Sequence, residues 1–579
     1  MEKVFGIDLG TTYSCVAYVD ENGKATVIKN SEDTMTTPSV VYFEDAENIT
    51  VGESAKENAL LEPLKVVSLI KRDMGKADAD RTINGVKMRP EQISSYILRK
   101  LVNDAMNSLR EEGKLGDNEE VKKVVITCPA YFGVEEKEAT KTAGEIAGLE
   151  VLNIINEPTA AAISYGINVA EGKKNVLVYD LGGGTFDITV MQVNGNNIKA
   201  IATGGNHALG GADWDDAVRS HIVQRFEEET GISAGDLMGD PETWQQISLS
   251  VEKAKKLLTS KEKAPISVNF EGEKFRMELT REKFDELTMD LLDQTIQLTN
   301  DMFEKAAEKG VNKKDIDIIL LVGGSSKMKQ VEKRICEEYG KETKLFEPDW
   351  AVAKGAAIYA QNMNIKIEFE QIIYTIANET GETPETIRQE IETGTATLEG
   401  LASRAGIQNN DIITAVTDTS QLIDIGNVSS RTYGVSLLNC KDELKIFNII
   451  MKNSDLPAKG TQNSYCPVDN MKYVKFTVYE SLLDEKENKG IWNGEQSDFG
   501  FDKELGREIG EARIELPSGT PKGAVVEVTF KLEENGLLTL IAKEKIEGRQ
   551  VTATFETKNG MSDKAVEQAK AMACAAVVN

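Results

Sequence analysis

The chain has 579 residues, with 67 lysines and arginines against 95 aspartates and glutamates, a formal net charge of −28. The length predicts two to four domains, and the negative charge, which repels phosphate groups, excludes nucleic acid and an anionic membrane as expected partners. The sequence offers no signal-peptide pattern, no apolar run long enough for a bilayer, and no clustered cysteines or histidines. We therefore expect a cytoplasmic protein without a disulfide scaffold or a zinc site.

The N-terminal zone, residues 1–362, alternates apolar β-branched runs with helical periods. Val124–Phe132 predicts a strand, and Val134–Gly148 and Leu287–Ala306 predict helices between such strands. This alternation is typical of an α/β fold with parallel strands and crossover helices.

Three further zones follow along the chain. Residues 363–430 begin with an acidic helical insertion, in which Thr383 precedes Pro384 as an N-cap, and end in a linker. Residues 431–560 carry short segments of period two, which predict an antiparallel β-sandwich. Residues 561–579 predict one short helix.

One local pattern, an Asp-Leu-Gly turn between two apolar runs, occurs twice in the α/β zone. The copies are VFGIDLGTTYSCVAYV (residues 4–19) and VLVYDLGGGTFDITV (residues 176–190). Glycine-rich turns point backbone N–H groups at phosphate oxygens, whereas the aspartate repels phosphate unless a divalent cation lies between them. Two such turns from two similar halves predict a bilobal clamp around ATP and Mg²⁺. One turn alone would be explained equally well as a hairpin.

Five segments carry a resemblance to a known family: GIDLGTTYSCVAYV, IINEPTAAAISYG, DLGGGTFDITV, LGGADWDDAV and LVGGSSKM. In this order and spacing they resemble the motif set of the seventy-kilodalton heat-shock chaperones, the DnaK type. MKNSDLP, FTVYES and VEVTFKLEENGLLTLIAKEK are similar to the peptide-binding β-sandwich of that family. The resemblance implies a multidomain protein, with an α/β bilobal actin-like ATPase domain (1–362), an all-β substrate-binding domain (431–560) and a short helical remnant of the family's lid (561–579).

The resemblance also implies a nucleotide site for ATP or ADP and Mg²⁺, with K⁺ as a further candidate ion. Around the phosphates it assigns metal binding, mostly through water, to Asp8, Glu157 and Asp180. It assigns catalytic roles to the same three residues and to Lys71, Thr185 and Asp187. Glu157 also precedes Pro158, which puts it at a helix mouth, where a helix cap is the alternative interpretation. The other residues expected to hold the nucleotide are Thr11, Thr12, Tyr13, Gly182, Gly183, Gly184, Gly211, Glu252, Lys255, Lys256, Thr259, Gly323, Gly324, Ser325, Lys327 and Asp349.

A peptide groove in the sandwich is implied in the same way, with ordinary core packing as the alternative. The expected groove residues are Val435, Leu438, Tyr465, Val474, Phe476 and Val526. The implied partners are unfolded or extended polypeptides, with a J-domain co-chaperone and a nucleotide-exchange factor as candidates. Because the helix after Met561 is shorter than the family's lid, bound peptide is expected to exchange fast.

Four positions depart from the family pattern by replacing an arginine. Lys256 and Lys327 stand where arginines enclose adenine, and an ammonium stacks less well than a planar guanidinium, so we expect lower nucleotide affinity. Lys137 and Asn153 stand where arginines serve interdomain contacts. Losing such partners predicts weaker coupling between the domains.

The linker departs from the family as well. The insertion at 363–410 interrupts it, and its best remnant is Leu422–Ile425, with Ile412–Ile413 as the second choice. Both are less apolar than the family's linker, so we expect peptide and J-domain proteins to stimulate hydrolysis only weakly.

The leading functional hypothesis is an ATP-dependent chaperone that binds extended apolar segments of unfolded proteins, with slow Mg²⁺-dependent hydrolysis controlling affinity. A small-molecule phosphotransferase of the actin and sugar-kinase type is the first alternative, although the β-domain argues against it. The second alternative is a specialised relative that serves one dedicated client.

Overall fold

The structure is a computed structural model, and it describes residues 2–76, 78–166, 172–407, 423–438, 443–481, 500–534, 536–555 and 560–579. These residues form two α/β lobes, a small helical unit, a β-sandwich, and a final helix with a short strand. Among the described helices, none combines the length and apolarity needed to cross a bilayer.

Lobe I is built on a mixed sheet whose first three strands form an antiparallel meander. Its strands are β1 (Phe5–Asp8), β2 (Tyr13–Val19), β3 (Ala25–Val27), β4 (Thr37–Pro38), β10 (Lys123–Cys128) and β11 (Glu150–Asn156). The order is β11-β10-β1-β2-β3, with β4 paired to β2 and with β10 and β11 parallel to β1. Val124, Val125 and Ile126 are fully buried, as expected for a strand covered on both faces.

Helices and a second small sheet complete lobe I. The helices are α1 (Glu53–Asn58), α2 (Pro90–Glu111), α3 (Val134–Ile146) and α4 (Glu157–Gly166). The small strands are β5 (Val41–Phe43), β6 (Asn48–Val51), β7 (Val66–Val67), β8 (Arg81–Ile83) and β9 (Val86–Met88). Strand β5 pairs with β6 on one side and with β7 on the other, and β8 pairs with β9.

Lobe II repeats the sheet of lobe I. Its strands are β12 (Lys174–Leu181), β13 (Phe186–Asn194), β14 (Asn197–Asn206), β17 (Ile318–Val322), β18 (Glu342–Leu345) and β19 (Asp424–Gly426). The order β18-β17-β12-β13-β14 places a meander beside two parallel strands, as in lobe I, and β19 adds to the edge of β14. The two similar halves predicted from the repeated turns are therefore present.

The outer part of lobe II encloses a large apolar core in which Trp214 and Phe226 are fully buried. Its helices are α5 (Gly211–Thr230), α6 (Ala234–Gly239), α7 (Pro241–Leu258), α8 (Arg281–Leu287), α9 (Met289–Glu308) and α10 (Lys329–Tyr339). A hairpin of β15 (Lys263–Phe270) and β16 (Glu273–Thr280) packs against α7.

A long helix, α11 (Ala351–Thr380), joins the lobes to the small helical unit. A Cβ on Gly355 would lie 1.7 Å from the Ala160 carbonyl oxygen of α4, so only glycine allows these helices to approach so closely. The helix continues past residue 362 and packs with α12 (Pro384–Glu392) and α13 (Leu398–Arg404) around a separate small core. The Thr383 hydroxyl accepts from the Thr386 N–H over 3.2 Å, which confirms the predicted N-cap.

The β-sandwich consists of two four-stranded sheets, β21-β20-β23-β24 and β22-β25-β26-β27. All pairings within the two sheets are antiparallel, as the period-two pattern predicted. The strands are β20 (Tyr433–Leu438), β21 (Leu444–Ile450), β22 (Ala458–Tyr465), β23 (Tyr473–Ser481), β24 (Gly506–Glu515), β25 (Val525–Leu532), β26 (Leu538–Glu544) and β27 (Gln550–Phe555).

The last helix, α14 (Asp563–Ala575), lies in a different place from the one expected of a lid remnant. Its buried residues Ala569 and Ala573 belong to the core of lobe I, where the helix packs against α2 and α3. Strand β28 (Val577–Val578) then pairs in parallel with β6 of the same lobe. The expectation of a lid on the sandwich is corrected, because the alanine face of α14 fits between two helices of lobe I.

Candidate functional site

The two aspartate-glycine turns lie at equivalent places in the two lobes. Asp8 ends β1 before the turn to β2, and Asp180 lies near the end of β12, directly opposite Asp187 on β13. The Gly182 N–H donates to the Thr185 carbonyl over 2.9 Å and closes the second turn as a hairpin. Both turns are thus hairpins between antiparallel strands.

The turns of the two lobes face each other at close range. A Cβ on Gly183 would lie 1.9 Å from Thr12 Oγ1, and a Cβ on Gly184 would lie 2.3 Å from Thr11 Cγ2. Any side chain at either glycine would separate the lobes. The structure therefore brings together the two predicted phosphate loops from opposite sides of one cleft.

A buried ion pair lies beside the first turn. The Lys71 ammonium pairs with the Glu157 carboxylate, and both side chains are about one-tenth exposed or less. The Asp8 carboxylate accepts a hydrogen bond from the Thr127 hydroxyl over 3.1 Å. Burial, with repulsion from Glu157, raises the pKa of Asp8 to about 7, although Lys71 and the hydroxyl favour its charged form.

Two more buried carboxylates, Asp180 and Asp187, come from lobe II. Asp187 Oδ1 accepts from the Ala130 N–H over 2.6 Å. Burial raises the pKa of both aspartates well above the ordinary value, and repulsion from Glu157 adds to the effect. Four carboxylates thus share one ammonium group, that of Lys71, and this excess of negative charge fits a site that also receives a cation.

The residues present fit a hydrated divalent cation better than a directly chelated one. Among the described residues, no three carboxylate, imidazole or thiolate side chains converge closely enough to chelate an ion. Thr12 Oγ1 and Asp187 Oδ2 are buried without a hydrogen-bonding partner in the described part of the chain. Such atoms can bind ordered water or phosphate oxygens at low cost. These two atoms leave the site with polar groups for a hydrated cation, and water-mediated binding of Mg²⁺ by Asp8, Glu157 and Asp180 stays a prediction.

An ion-pair cluster closes the mouth of the cleft. Glu252 of lobe II pairs with Lys56 of lobe I over 2.6 Å and with Lys256 over 2.7 Å. The Tyr13 hydroxyl donates to Glu252, and the Lys256 ammonium lies 4.4 Å from the centroid of the Tyr13 ring. Despite burial, the two ammonium groups lower the pKa of Glu252 to about 2. Sequence reasoning found three of these residues and missed Lys56, which is far from any motif.

A second contact between the lobes was also missed. Arg72 pairs with Asp213 over 2.6 Å and donates from Nε to the Gly184 carbonyl over 2.9 Å. Arg72 follows Lys71 directly, and Asp213 lies within the LGGADWDDAV segment, so the signal was local to both motifs. The guanidinium fixes the second phosphate loop from the side of lobe I.

The residues expected at the nucleoside form two groups. Gly211, Lys255 and Ser325 meet, since a Cβ on Gly211 would lie 2.3 Å from Ser325 Oγ and 3.0 Å from Lys255 Nζ. Lys255 also pairs with Asp215 over 2.7 Å, a residue that the sequence analysis did not select. This group lies against the second phosphate loop, because a Cβ on the neighbouring Gly210 would touch the backbone of Gly184.

The other nucleoside group surrounds Asp349. Its carboxylate pairs with Lys327 and lies 3.5 Å from a Cβ built on Gly324. Gly323, at φ +79°, approaches Asp180 so closely that a Cβ would lie 2.4 Å from Oδ1. Lys256 and Lys327, expected at the adenine, both pair with carboxylates here. Thr259, the half-buried C-cap of α7, donates its hydroxyl to the Lys256 carbonyl.

Four of the six expected groove residues lie inside the sandwich core: Val435, Val474, Phe476 and Val526, which are between 0 and 9% exposed. Their burial favours the core-packing alternative in this conformation, and a role in peptide binding stays a prediction. Alternating strand residues point into the space between the sheets, which accounts for their burial. Leu438 and Tyr465 are 39% and 37% exposed and remain candidates.

The sandwich docks on lobe I through the residues that follow Ala130, the residue whose N–H binds Asp187. The Ser430 hydroxyl donates to the Phe132 carbonyl over 2.8 Å, and Val134 is buried in the core of the sandwich. The next two residues, Glu135 and Glu136, pair with Arg507 of β24 over 3.0 and 3.3 Å. Arg507 also pairs with the buried Glu480 over 3.2 Å. The segment Ala130–Glu136 thus connects Asp187, a catalytic candidate, to the sandwich.

The sandwich and its linker also dock on lobe II. Asp455 pairs with Lys199 and Lys309 over 2.8 and 2.9 Å. Ile423 and Ile425 are 3% and 8% exposed as β19 pairs with β14. Ile423, Asp424 and Ile425 of the preferred linker remnant therefore lie against lobe II. Leu422 and Ile412–Ile413 lie outside the described residues.

Two lobes of repeated topology, with paired glycine turns around a buried acidic cleft, define an ATPase domain of the actin-like type. The family model described as Hsp70 protein matches residues 4–375 of the chain. This match spans more than half of the sequence, and the chain belongs to the Hsp70 family. It is a chaperone of the Hsp70 type, from a family of ATPases that bind nucleotide with Mg²⁺ and act on unfolded polypeptides with co-chaperones.

Proposed function

We propose that the chain is an ATP-dependent chaperone that binds extended apolar segments of unfolded proteins, with slow Mg²⁺-dependent hydrolysis controlling its affinity for them. The observation that carries this proposal is the continuous path from Asp187 through Ala130 and Phe132 to the docked sandwich. A group that senses the terminal phosphate is thereby joined to the domain that would hold the client.

In this site the residues of the chain position and neutralise rather than form covalent bonds. Lys71, charged because Glu157 and Asp8 hold its pKa high despite burial, would offset negative charge that develops on the terminal phosphate. Asp187, held by the Ala130 N–H, would orient the attacking water, and Thr185 would donate its hydroxyl to phosphate oxygens. When bound, Mg²⁺ supplies charge neutralisation of the phosphates, held through its waters by Asp8, Glu157 and Asp180.

The test of the site is ATP turnover by the full chain with Mg²⁺. Lys71→Ala and Thr185→Ala should each reduce turnover by about 100-fold or more, a loss of about 2.7 kcal/mol of transition-state stabilisation, while the fold persists. Lys122→Ala, which removes a lysine whose side chain is 63% exposed, is the matched control and should behave as wild type. Wild-type turnover in both site variants would refute the assignment.

The client-binding part of the proposal is tested by peptide affinity. A labelled extended apolar peptide should bind more weakly with ATP than with ADP, and Lys71→Ala should keep the weak state after ATP is added. If each apolar peptide binds with the same affinity in ATP and in ADP, nucleotide control is contradicted. Capture of one protein only from a mixture of unfolded chains would instead favour the dedicated-client alternative, and phosphate transfer to a small molecule would favour the kinase alternative.

A further inference from the structure

The helix and strand that follow the sandwich, α14 and β28, form a unit that we call the terminal clasp. Ala569, Ala573 and Ala576 of the clasp are 3, 1 and 5% exposed. They recur at helical spacing and lie in the same core as α2 and α3 of lobe I. Because alanine side chains are short, the helix axis approaches the lobe closely.

Backbone hydrogen bonds attach the clasp independently of this packing. The Val577 N–H donates to the Glu47 carbonyl over 2.7 Å, and the Asn579 N–H donates to the Ile49 carbonyl over 2.9 Å. The Val51 N–H donates in turn to the Asn579 carbonyl over 2.9 Å. Strand β28 therefore extends the small sheet of lobe I and covers the edge of β6.

The clasp ties the sandwich to lobe I by a short connection. About eight residue steps separate Phe555, the end of β27, from Asp563, the start of α14. A fully extended chain spans at most roughly 3.6 Å per step, so this connection reaches about 29 Å. On the other side, Gly426 of β19 and Tyr433 of β20 are about seven steps apart. The sandwich is thus held by short segments at both of its ends.

We propose that the terminal clasp is a second tether, which keeps the sandwich near lobe I in both nucleotide states. Release of β19 alone would let the sandwich move only as far as its connection to the clasp allows. Full separation requires that the clasp also opens, and opening exposes the edge of β6 and apolar surface on α2 and α3. The inference rests on the proposed function in assuming that nucleotide controls docking of the linker.

Two variants open the clasp in different ways. Ala573→Glu puts a charge into a buried position on α14, which the lobe cannot accommodate without releasing the helix. Val577→Pro removes the N–H that binds Glu47, at an exposed side chain and after a residue, Ala576, that is already extended (φ −73°, ψ 140°). Ala571→Glu, on the exposed face of the same helix, is the matched control.

Two measurements are made on wild type and on each variant, in ATP and in ADP: amide hydrogen exchange at Val51 and the radius of gyration from small-angle scattering. Calorimetry of nucleotide binding is carried out on the same proteins. Wild type and Ala571→Glu should stay compact in both nucleotides. Ala573→Glu and Val577→Pro should speed exchange at Val51 at least about tenfold and expand the chain by several ångströms with ADP. Expansion of the wild type in either nucleotide, whether or not Val51 stays protected, would overturn the proposal. Variants that lose protection at Val51 yet stay compact would overturn it as well. If wild type binds no nucleotide, the proposed function fails instead, and the same comparison without nucleotide decides on the clasp.

Discussion

At the mouth of the cleft one carboxylate, that of Glu252, binds ammonium groups from both lobes. Lys56 reaches it from α1 of lobe I, and Lys256 reaches it from α7 of lobe II. Removal of either lysine leaves the other to hold the carboxylate, but of the two lysines it is Lys56 that forms an ion pair across the cleft, beside the hydrogen bond from Tyr13 of lobe I. Glu252 is therefore a closure contact as well as a residue expected at the nucleoside.

Lys56→Met should accelerate release of bound nucleotide by about three- to tenfold, the effect of losing a partly buried ion pair worth roughly 1 kcal/mol. Stopped-flow release of a fluorescent ADP measures it. Lys29→Met removes an exposed pair with Asp33 within lobe I and serves as the control. An unchanged release rate in Lys56→Met would mean that the cluster does not limit opening.

The effect of Lys56→Met should be the same at pH 6 and pH 8. Lysine pairing holds the pKa of Glu252 at about 2, below the ordinary 4.5. The ionised Glu252 carboxylate therefore stabilises the closed form fully above about pH 4.5. This contribution is lost only as the pH falls towards 2 and the carboxylate becomes protonated. Release rates of wild type and variant across this range test the point, and a ratio that changes between pH 6 and pH 8 would contradict it.

Residues within one motif could be predicted from the sequence, and residues that meet across the fold could not. The two aspartate-glycine turns carry their geometry locally, so their contact follows once two similar lobes are assumed. Lys56 lies almost 200 residues from Glu252 in a helix without a distinctive pattern. For Val435 and Phe476, period two identifies the inward face of a strand but does not say whether that face lines a groove or a core.

At the scale of elements, the linker strand β19 docks on lobe II despite its mixed polarity. Strand geometry turns alternate side chains to one face, so Ile423 and Ile425 are buried while Asp424 between them is exposed. A linker of mixed polarity can therefore dock as well as a wholly apolar one. Whether docking couples peptide binding to hydrolysis stays a prediction.

Ile423→Asp should release the linker, because a charge would enter a position that is 3% exposed. If coupling runs through β19, any stimulation of ATP turnover by peptide should disappear in this variant. Asp424→Asn, on the exposed side of the same strand, should keep the wild-type response. Turnover with and without peptide measures the effect, and stimulation that survives Ile423→Asp would place the coupling elsewhere.

At the scale of the whole molecule, the sandwich contacts both lobes through ion pairs of different burial. On lobe I, Arg507 joins Glu136 to Glu480, whose side chain is 3% exposed. Burial raises the pKa of Glu480 despite the attraction of two arginines. On lobe II, the pairs of Asp455 involve a side chain that is 55% exposed. A rotation of one lobe against the other must therefore strain or break one of these contacts.

Arg507→Ala should speed amide exchange in residues 130–137 by about tenfold or more, because it leaves buried carboxylates to repel one another. Arg513→Ala, at an exposed position of the same strand, is the control. The effect should persist at high salt, whereas Asp455→Asn should matter only at low salt, since ions screen exposed pairs. An Arg507→Ala effect that vanishes with salt would show that this interface is open to solvent.

The two segments that flank the sandwich each cover the edge of a sheet, which has a consequence for aggregation. Strand β19 covers β14, and strand β28 covers β6, each at the edge of a sheet in a different lobe. An uncovered edge presents rows of unpaired N–H and carbonyl groups, which can pair with any extended chain and start aggregation. Proteins of the Hsp70 family act on unfolded polypeptides, which are extended chains of this kind. Whenever a flanking strand dissociates from its sheet, these polypeptides could therefore pair with the exposed edge on the ATPase domain. Brief dissociation carries a smaller risk of aggregation than prolonged dissociation.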